Sequence, residues 1–258
     1  MRPLAELPRA GLRGILCDID DTLTDDGRLV PAAFAAMARA QAAGLRVVPV
    51  TGRPAGWVDL IARQWPVDGC VGENGGLWFW RGPRRLERRF AQPAAVRDEN
   101  RARLDALAAE ILAEVPGAAL ASDQRYRELD LAVDFCEDVP PLPDVEIDRI
   151  VAAFGRAGAT CKVSSIHVNG WYGDFDKRAG FVAFHADRYG APADPSAWVY
   201  IGDSANDAPM FRAFPASVGV ANVRRWLPRM DPADWPRFVT PAEGGAGFAQ
   251  LVDHLLGA

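Results

Sequence analysis

Gly14-Ile15-Leu16-Cys17-Asp18-Ile19-Asp20-Asp21-Thr22 is the stretch that decides the fold. An apolar run followed at once by aspartates reads as a buried parallel strand that delivers carboxylates at its carboxyl end. Ligands of open α/β sheets bind there. Outward from this strand the punctuation repeats. A helix is expected over 31–43, with Pro31 at its start and Gly44 beyond its end. A second apolar strand over 45–50 delivers Thr51-Gly52-Arg53, and Pro54 opens a helix to about 64. Short strands at 69–71 and 77–80 flank the turn Glu73-Asn74-Gly75-Gly76.

The texture changes at Arg81. From there to about Tyr172 the pattern gives a helix over 94–113, a strand over 126–135, a proline-rich loop at 139–144, a helix over 145–157 and a strand over 160–168. The strand 127–135 alternates apolar with mostly polar residues, as in an antiparallel sheet open on one face. Parallel texture then resumes with a helix over 177–189, a strand over 197–201, a helix over 205–213, a strand over 217–220 and a closing helix over 248–256. The expected organisation is α/β: a Rossmann-like parallel-sheet core from residues 1–82 and 173–258, with an inserted α+β cap at 83–172. Hinges are expected at 82–83 and 170–174.

Composition narrows the class. The 258 residues, 49% hydrophobic and 24% charged, suffice for one large domain or a core with an inserted unit. A net charge of -5 argues against a surface that coats nucleic acid. Cys17, Cys70, Cys136 and Cys161 form no C-x-x-C pair and read as buried thiols in a reducing compartment. No apolar run has the length of a signal peptide or a membrane span, so a cytoplasmic protein with a small-molecule substrate, and neither nucleic acid nor membrane as partner, is the expectation.

Four separated segments, Asp18 to Thr22, Thr51-Gly52-Arg53, Lys177, and Gly202-Asp203-Ser204-Ala205-Asn206-Asp207, together carry what breaking a phosphate ester requires. Phosphate monoesters repel nucleophiles, so an anchored nucleophile, charge neutralisation and an acid for the leaving alcohol are all needed. Asp18 can attack phosphorus. Asp20 can protonate the leaving oxygen and then activate water. Thr22 and Thr51 offer hydroxyl donors, and Lys177 can hold both the phosphoryl group and Asp18. Asp203 with Asp207 completes a carboxylate pocket that calls for a divalent cation, and oxygen-only ligands point to magnesium.

In their order, these segments resemble the four motifs of the haloacid dehalogenase-like phosphatase superfamily. The large insertion resembles the subgroup with a type-two cap, which includes sucrose-phosphatase-like and mannosyl-phosphoglycerate-phosphatase-like enzymes. Glu73-Asn74-Gly75-Gly76 and Glu243-Gly244-Gly245-Ala246-Gly247 are similar to that subgroup as well. The resemblance implies Asp18, Asp20, Asp203 and Asp207 at a magnesium ion, with Asp20 contributing its backbone carbonyl. It implies Thr22, Thr51, Gly52, Arg53 and Asn206 around the phosphate, and Asn206 and Asp207 orienting Lys177. One departure is that Lys177 is followed by Arg178 and Ala179, with glycine only at 180, where many relatives place glycine directly after the lysine.

The reaction class implied is hydrolysis of a sugar or sugar-acid phosphate. A phosphomutase using the same aspartyl-phosphate and a non-catalytic binding protein on the same fold are the alternatives. His167 and Asn169 on the last cap strand, and Trp171 at the hinge, are candidates for reading the leaving group. Glu128, Asp130 and Asp134 are placed on the open face of the cap sheet, with a sugar-reading role and a plain solvent face both open. Arg81, Arg84, Arg85, Arg88 and Arg89 read first as a charged sheet edge, with an anion clamp as the alternative.

Overall fold

The computed structural model describes residues 1–257. The chain opens with β1 (Arg2–Pro3) and β2 (Gly14–Cys17), then a hairpin of β3 (Thr24–Asp25) and β4 (Arg28–Leu29). Asp26 and Gly27, both with positive φ, make its two-residue turn. Next come α1 (Pro31–Ala42), β5 (Arg46–Pro49), α2 (Ala55–Gln64), β6 (Cys70–Gly72), β7 (Leu77–Arg81) and β8 (Leu86–Phe90).

A different layer follows: α3 (Ala94–Glu114), β9 (Ala119–Leu120), β10 (Asp130–Asp134), α4 (Asp144–Arg156), β11 (Thr160–Val163) and β12 (His167–Trp171). The chain then returns through α5 (Lys177–Tyr189), β13 (Trp198–Gly202), α6 (Ala208–Ala213), β14 (Ala216–Gly219), β15 (Phe238–Val239) and α7 (Gly244–Leu256).

The main sheet is parallel throughout, in the order β1-β15-β14-β13-β2-β5. Alternate residues of its central strands feed two cores. Ile15 and Cys17 of β2, with Val199 and Ile201 of β13, meet α1, α2 and α7 on one face. On the other face Leu16, Trp198 and Tyr200 meet α5 and α6. That period of two is what burying both faces of a parallel strand requires. From β2 the chain turns to β5 on one side, and β13 lies on the other, so the carboxyl ends of β2 and β13 stand side by side where the strand order reverses.

Over these ends lies an antiparallel sheet in the order β11-β12-β10-β9. Leu131, Val133 and Val168 pack beneath α3 and α4. Asp130, Asp134, His167 and Asn169 occupy the opposite face, through the register Asp130↔Trp171, Ala132↔Asn169 and Asp134↔His167. The polar alternation does not mark a face open to water: every residue of β10 and β12 is buried, because the core covers the other side.

Three boundaries differ from the sequence reading. The strand expected over 160–168 is two strands, turned around by Ser164, whose Oγ accepts from the amides of Ile166 (3.3 Å) and His167 (2.9 Å). The strand expected over 126–135 begins its ladder only at Asp130, since 124–126 form a helical turn. The expected edge at 83 falls inside the β7–β8 hairpin, where Phe90 packs edge-on against Phe79, so the chain leaves the core after β8. Glycine and proline at 82–83 mark a hairpin turn, a signal that looks the same as a hinge in sequence.

Candidate active site

Asp18 stands immediately after β2 and Asp203 immediately after β13, so the parallel pairing of the two strands brings residues far apart in sequence to one place. The amide of Asp18 donates to Ile201 O at 2.9 Å, which continues that pairing to the nucleophile candidate. Thr22 Oγ1 donates to Asp203 Oδ1 at 3.3 Å. Lys177, the first residue of α5, is buried, with Nζ 3.0 Å from Asp18 Oδ1 and 2.6 Å from Asp207 Oδ1. The Asp176 side chain caps this helix through the Ala179 amide. Gly180 lets the helix approach the 73–75 turn, because a Cβ there would lie 2.4 Å from Gly75 Cα. Glycine thus stands three residues after Lys177, and α5 still begins at the lysine.

Asp18, Asp203 and Asp207 lie close enough for one oxygen of each to fall within 4.8 Å of the others. Burial raises the Asp18 carboxyl to about 8; Lys177 opposes the rise, and the Asp207 and Asp20 charges add to it. The Asp203 carboxyl is raised as well, first by burial and then by Asp207 and Asp18. Asp18 Oδ1, despite the nearby ammonium, and Asp203 Oδ2 receive no aligned hydrogen bond. Two orphaned oxygens among crowded carboxylates fit a hard divalent cation.

Asp207 differs. Its Oδ1 accepts from Lys177 and from the Tyr200 hydroxyl, and its Oδ2 from the amides of Asp203 (2.9 Å) and Ser204 (3.1 Å). With each oxygen taken twice, Asp207 holds Lys177 and the loop beside the other two carboxylates. Asn206 Oδ1 accepts from Lys177 (3.3 Å) and Ser204 Oγ (3.0 Å).

A narrow cavity of about 10 Å³ between core and second sheet is lined by Asp18, Asp20, Gly52, Arg53, Arg127, Ser164, Ile166, His167, Asn169 and Asn206. Thr51 is fully buried beside it, its hydroxyl oxygen accepting from the Arg53 amide at 3.0 Å. Arg53, expected at the phosphate, is turned elsewhere. Its Nε donates to both oxygens of Asp20, and Nη2 to Asp20 Oδ1 at 2.7 Å and Glu137 Oε1 at 2.6 Å. The Asp20 carboxylate is therefore held by a guanidinium and stands outside the three-carboxylate group, which leaves only its backbone carbonyl for the ligand role expected of it. Trp171 is not a sugar platform: it is fully buried, stacked on Phe175, with Nε1 donating to Phe175 O. The arginines at 84, 85, 88 and 89 cluster with Arg63 on the exposed hairpin, away from the cavity lining.

Several residues of the site carried no signal in sequence. Glu137, Asp123 and Arg127 bind across the core–cap boundary: Arg127 Nη1 donates to Gly52 O at 2.8 Å while its guanidinium pairs with Asp123 and Asp130. Asp130 in turn accepts from Asn169 Nδ2 at 3.0 Å. Glu73, singled out only as a turn residue, accepts the amides of Ala55, Glu128, Leu129 and Asp130.

Residues 15–84 match the family of haloacid dehalogenase-like hydrolases. This segment contains β2 with Asp18 and β5 with Thr51. Over that segment the chain is similar to haloacid dehalogenase-like hydrolases. It is 27% identical over 241 residues to a phosphoglycolate phosphatase of Haloarcula marismortui, covering 92% of this chain and 95% of the relative. The chain also superimposes on a Thermoplasma acidophilum protein with a TM-score of 0.71 at 20% identity, over 95% of this chain and 98% of that one. The sucrose-phosphatase of Synechocystis, solved with sucrose and phosphate, gives 0.66 at 16% identity over the same shares. At these identities the two structures show that this chain has their fold. Among the described residues no helix is long and apolar enough to cross a membrane.

Proposed function

We propose that this protein is a haloacid dehalogenase-like hydrolase, a magnesium-dependent phosphatase of small phosphorylated molecules, a sugar or sugar-acid phosphate being the substrate class, acting through an aspartyl-phosphate on Asp18. The observation that carries this reading is the buried Lys177 ammonium shared by Asp18 and Asp207 at the ends of two adjacent parallel strands. The ammonium works against the burial that raises the Asp18 carboxyl. The phosphoglycolate phosphatase relative and the sucrose-phosphatase fold support the same class.

In the first half-reaction a carboxylate oxygen of Asp18 attacks phosphorus, the bond from phosphorus to the leaving oxygen breaks, and Asp20 supplies a proton to that oxygen. In the second, Asp20 takes a proton from water, the water oxygen attacks phosphorus, and the bond to Asp18 breaks to release inorganic phosphate. Lys177, the Thr51 hydroxyl and Asn206 face the charge that gathers on the phosphoryl oxygens. Magnesium, held by Asp18 and Asp203 with the Asp20 carbonyl, would neutralise part of that charge. His167 and Asn169 line the cavity, and on this reading they are the residues assigned to the leaving group.

Phosphate release over a panel of sugar phosphates, phosphoglycolate, phosphoglycerates and nucleotides, with magnesium and with a chelator, tests the reading. Turnover that needs magnesium is expected. Asp18→Asn should keep the thermal midpoint and lose at least about a thousandfold in turnover, since an amide cannot attack phosphorus. A phosphoryl group trapped on another residue would overturn the assignment. So would full activity in chelator.

A further inference from the structure

Arg53 is the most heavily bonded side chain of the cavity, and all of its partners are carboxylates. Its guanidinium is 3% exposed, stacked over the Trp57 ring with its carbon 4.5 Å from the ring centroid. On the core side Nε and Nη2 grip Asp20, at 2.9 and 3.0 Å from Nε and 2.7 Å from Nη2. On the side of the second sheet, Nη2 reaches Glu137 Oε1 at 2.6 Å. Nη1 reaches Asp123 Oδ2 at 3.3 Å and Glu137 Oε2 at 3.4 Å.

Glu137 is itself built into place. Asp134, at the end of β10, accepts the amides of Cys136, Glu137 and Asp138 at 2.7–2.9 Å, which fixes the turn that presents Glu137 to the core. His167 Nε2 lies 2.9 Å from Glu137 Oε2. Burial works against the Glu137 charge, yet His167 and Arg53 outweigh it and hold the carboxyl down at about 2. A half-buried, ionised carboxylate in a chain's second layer is costly to keep unless its partner is fixed.

Asp20 Oδ1 takes two of the three Arg53 bonds and Oδ2 only one, so Oδ2 is the oxygen left with capacity toward the cavity. The direction of Asp20 therefore depends on where Arg53 sits, and Arg53 is held from the far side by the second sheet. We propose that Glu137 is a positioning residue for the acid/base carboxylate: acting through Arg53, it aligns Asp20 only while the α+β layer is seated on the core. This inference rests on the phosphatase reading above and names the group that would couple closure of the cavity to proton transfer. Fixing a catalytic group in line with the reacting bond is among the larger contributions a scaffold makes.

The test compares two aryl phosphates of nearly the same shape, phenyl phosphate and 4-nitrophenyl phosphate, in wild type, Glu137→Ala, Glu137→Gln, Asp20→Asn and the Asp20→Asn/Glu137→Ala double variant. Nitrophenolate leaves with little need of a proton, whereas phenolate needs one. Since kcat/KM reports the steps up to the first irreversible one, it isolates the half-reaction in which Asp20 is the acid.

Glu137→Ala should lose about tenfold or more in kcat/KM on phenyl phosphate, part of the hundredfold or greater effect of general acid catalysis, and less than about threefold on the nitrophenyl ester. Glu137→Gln, which keeps an acceptor for Arg53, should recover part of the loss. In the Asp20→Asn background, Glu137→Ala should add nothing further. Equal losses on both esters, or a full extra loss in the Asp20→Asn background, would overturn the proposal, because a structural or substrate-contact role predicts those. If the thermal midpoint shows Glu137→Ala unfolded, Glu137→Gln carries the same comparison. Absence of turnover by wild type on either ester would sink the phosphatase reading, and this proposal with it, at a step that the variants do not enter.

Discussion

Raising the pH should loosen the seating of the second layer through one carboxylate, Glu73. It stands on the core in a turn of positive φ and is fully buried. Its oxygens accept the amides of Ala55 at 3.0 Å, Glu128 at 2.9 Å, Leu129 at 2.6 Å and Asp130 at 3.2 Å, so it ties the approach to β10 to the core. Burial raises its carboxyl from 4.5 to about 7; the Asp130 charge adds to the rise, against the bonds from Glu128 and Leu129 and the charge of Arg127.

The sign follows from proton counting. The folded protein holds this proton more tightly than the unfolded chain, so the associated stability is fully present below about pH 4.5 and is lost as pH rises through about 7. The gap corresponds to roughly 3 kcal/mol. For a chain of this length that is about 6–12 °C in thermal midpoint.

Glu73→Gln keeps the volume, removes the titration, and turns an amide N–H₂ toward backbone donors. It should be less stable than wild type at pH 5, with the difference shrinking by about 3 kcal/mol by pH 8. Denaturant unfolding of both proteins from pH 4.5 to 8, in chelator, measures this. The other raised carboxyls, Asp18 and Asp203, contribute slopes of the same sign to both proteins and cancel in the difference. Parallel stability curves across that window would refute the reasoning.

Two further outcomes follow from the site's geometry. Magnesium should raise the thermal midpoint of wild type, by about 2.7 kcal/mol at a hundredfold excess over Kd, and Asp203→Ala should abolish most of that response; an equal response in both would place the ion elsewhere. Gly75→Ala should destabilise by at least about 1–3 kcal/mol and lower turnover, because at φ +100 its Cβ would fall 1.9 Å from the carbonyl oxygen of Asp176, the residue that caps the Lys177 helix. Unchanged unfolding and turnover would show that the turn can yield.

What the sequence made legible was chemistry attached to strand ends. Asp18, Thr51 and Asp203 each follow an apolar run directly, so a local pattern fixes both the element and the side of the sheet on which the residue emerges. Lys177 was legible by residue type and chain order, and the structure places it where two carboxylates leave no room for an unpaired charge. The tasks within that set were less legible. Asp207 differs from Asp203 because Tyr200 and two amides saturate it, and no spacing in the chain encodes which oxygen is already spent.

Two of the misread features share a cause: each gets its role from contact across the boundary between the two layers. Arg53 follows Thr51-Gly52 and, read alone, is a cation beside a phosphate; Glu137 and Asp123, seventy or more residues away, are what claim it. The alternation along β10 reads as an open face because a single strand cannot announce that a second body will cover its polar side. Trp171 looked free because it precedes a glycine-containing loop, yet Phe175 four residues on closes over it. A cavity in which one cation, Arg53, is matched to carboxylates from both layers changes its charge whenever the layers part. With the second sheet lifted, Arg53 would face Asp20 alone and Arg127 would lose Gly52 O, while Asp18, Lys177 and Asp203, all on the core, would keep their places. On the phosphatase reading proposed above, the phosphate end of the site would persist through opening and the leaving-group end would be assembled by closing, which is the division of labour expected where a hydrophilic product must escape after a step that excludes water.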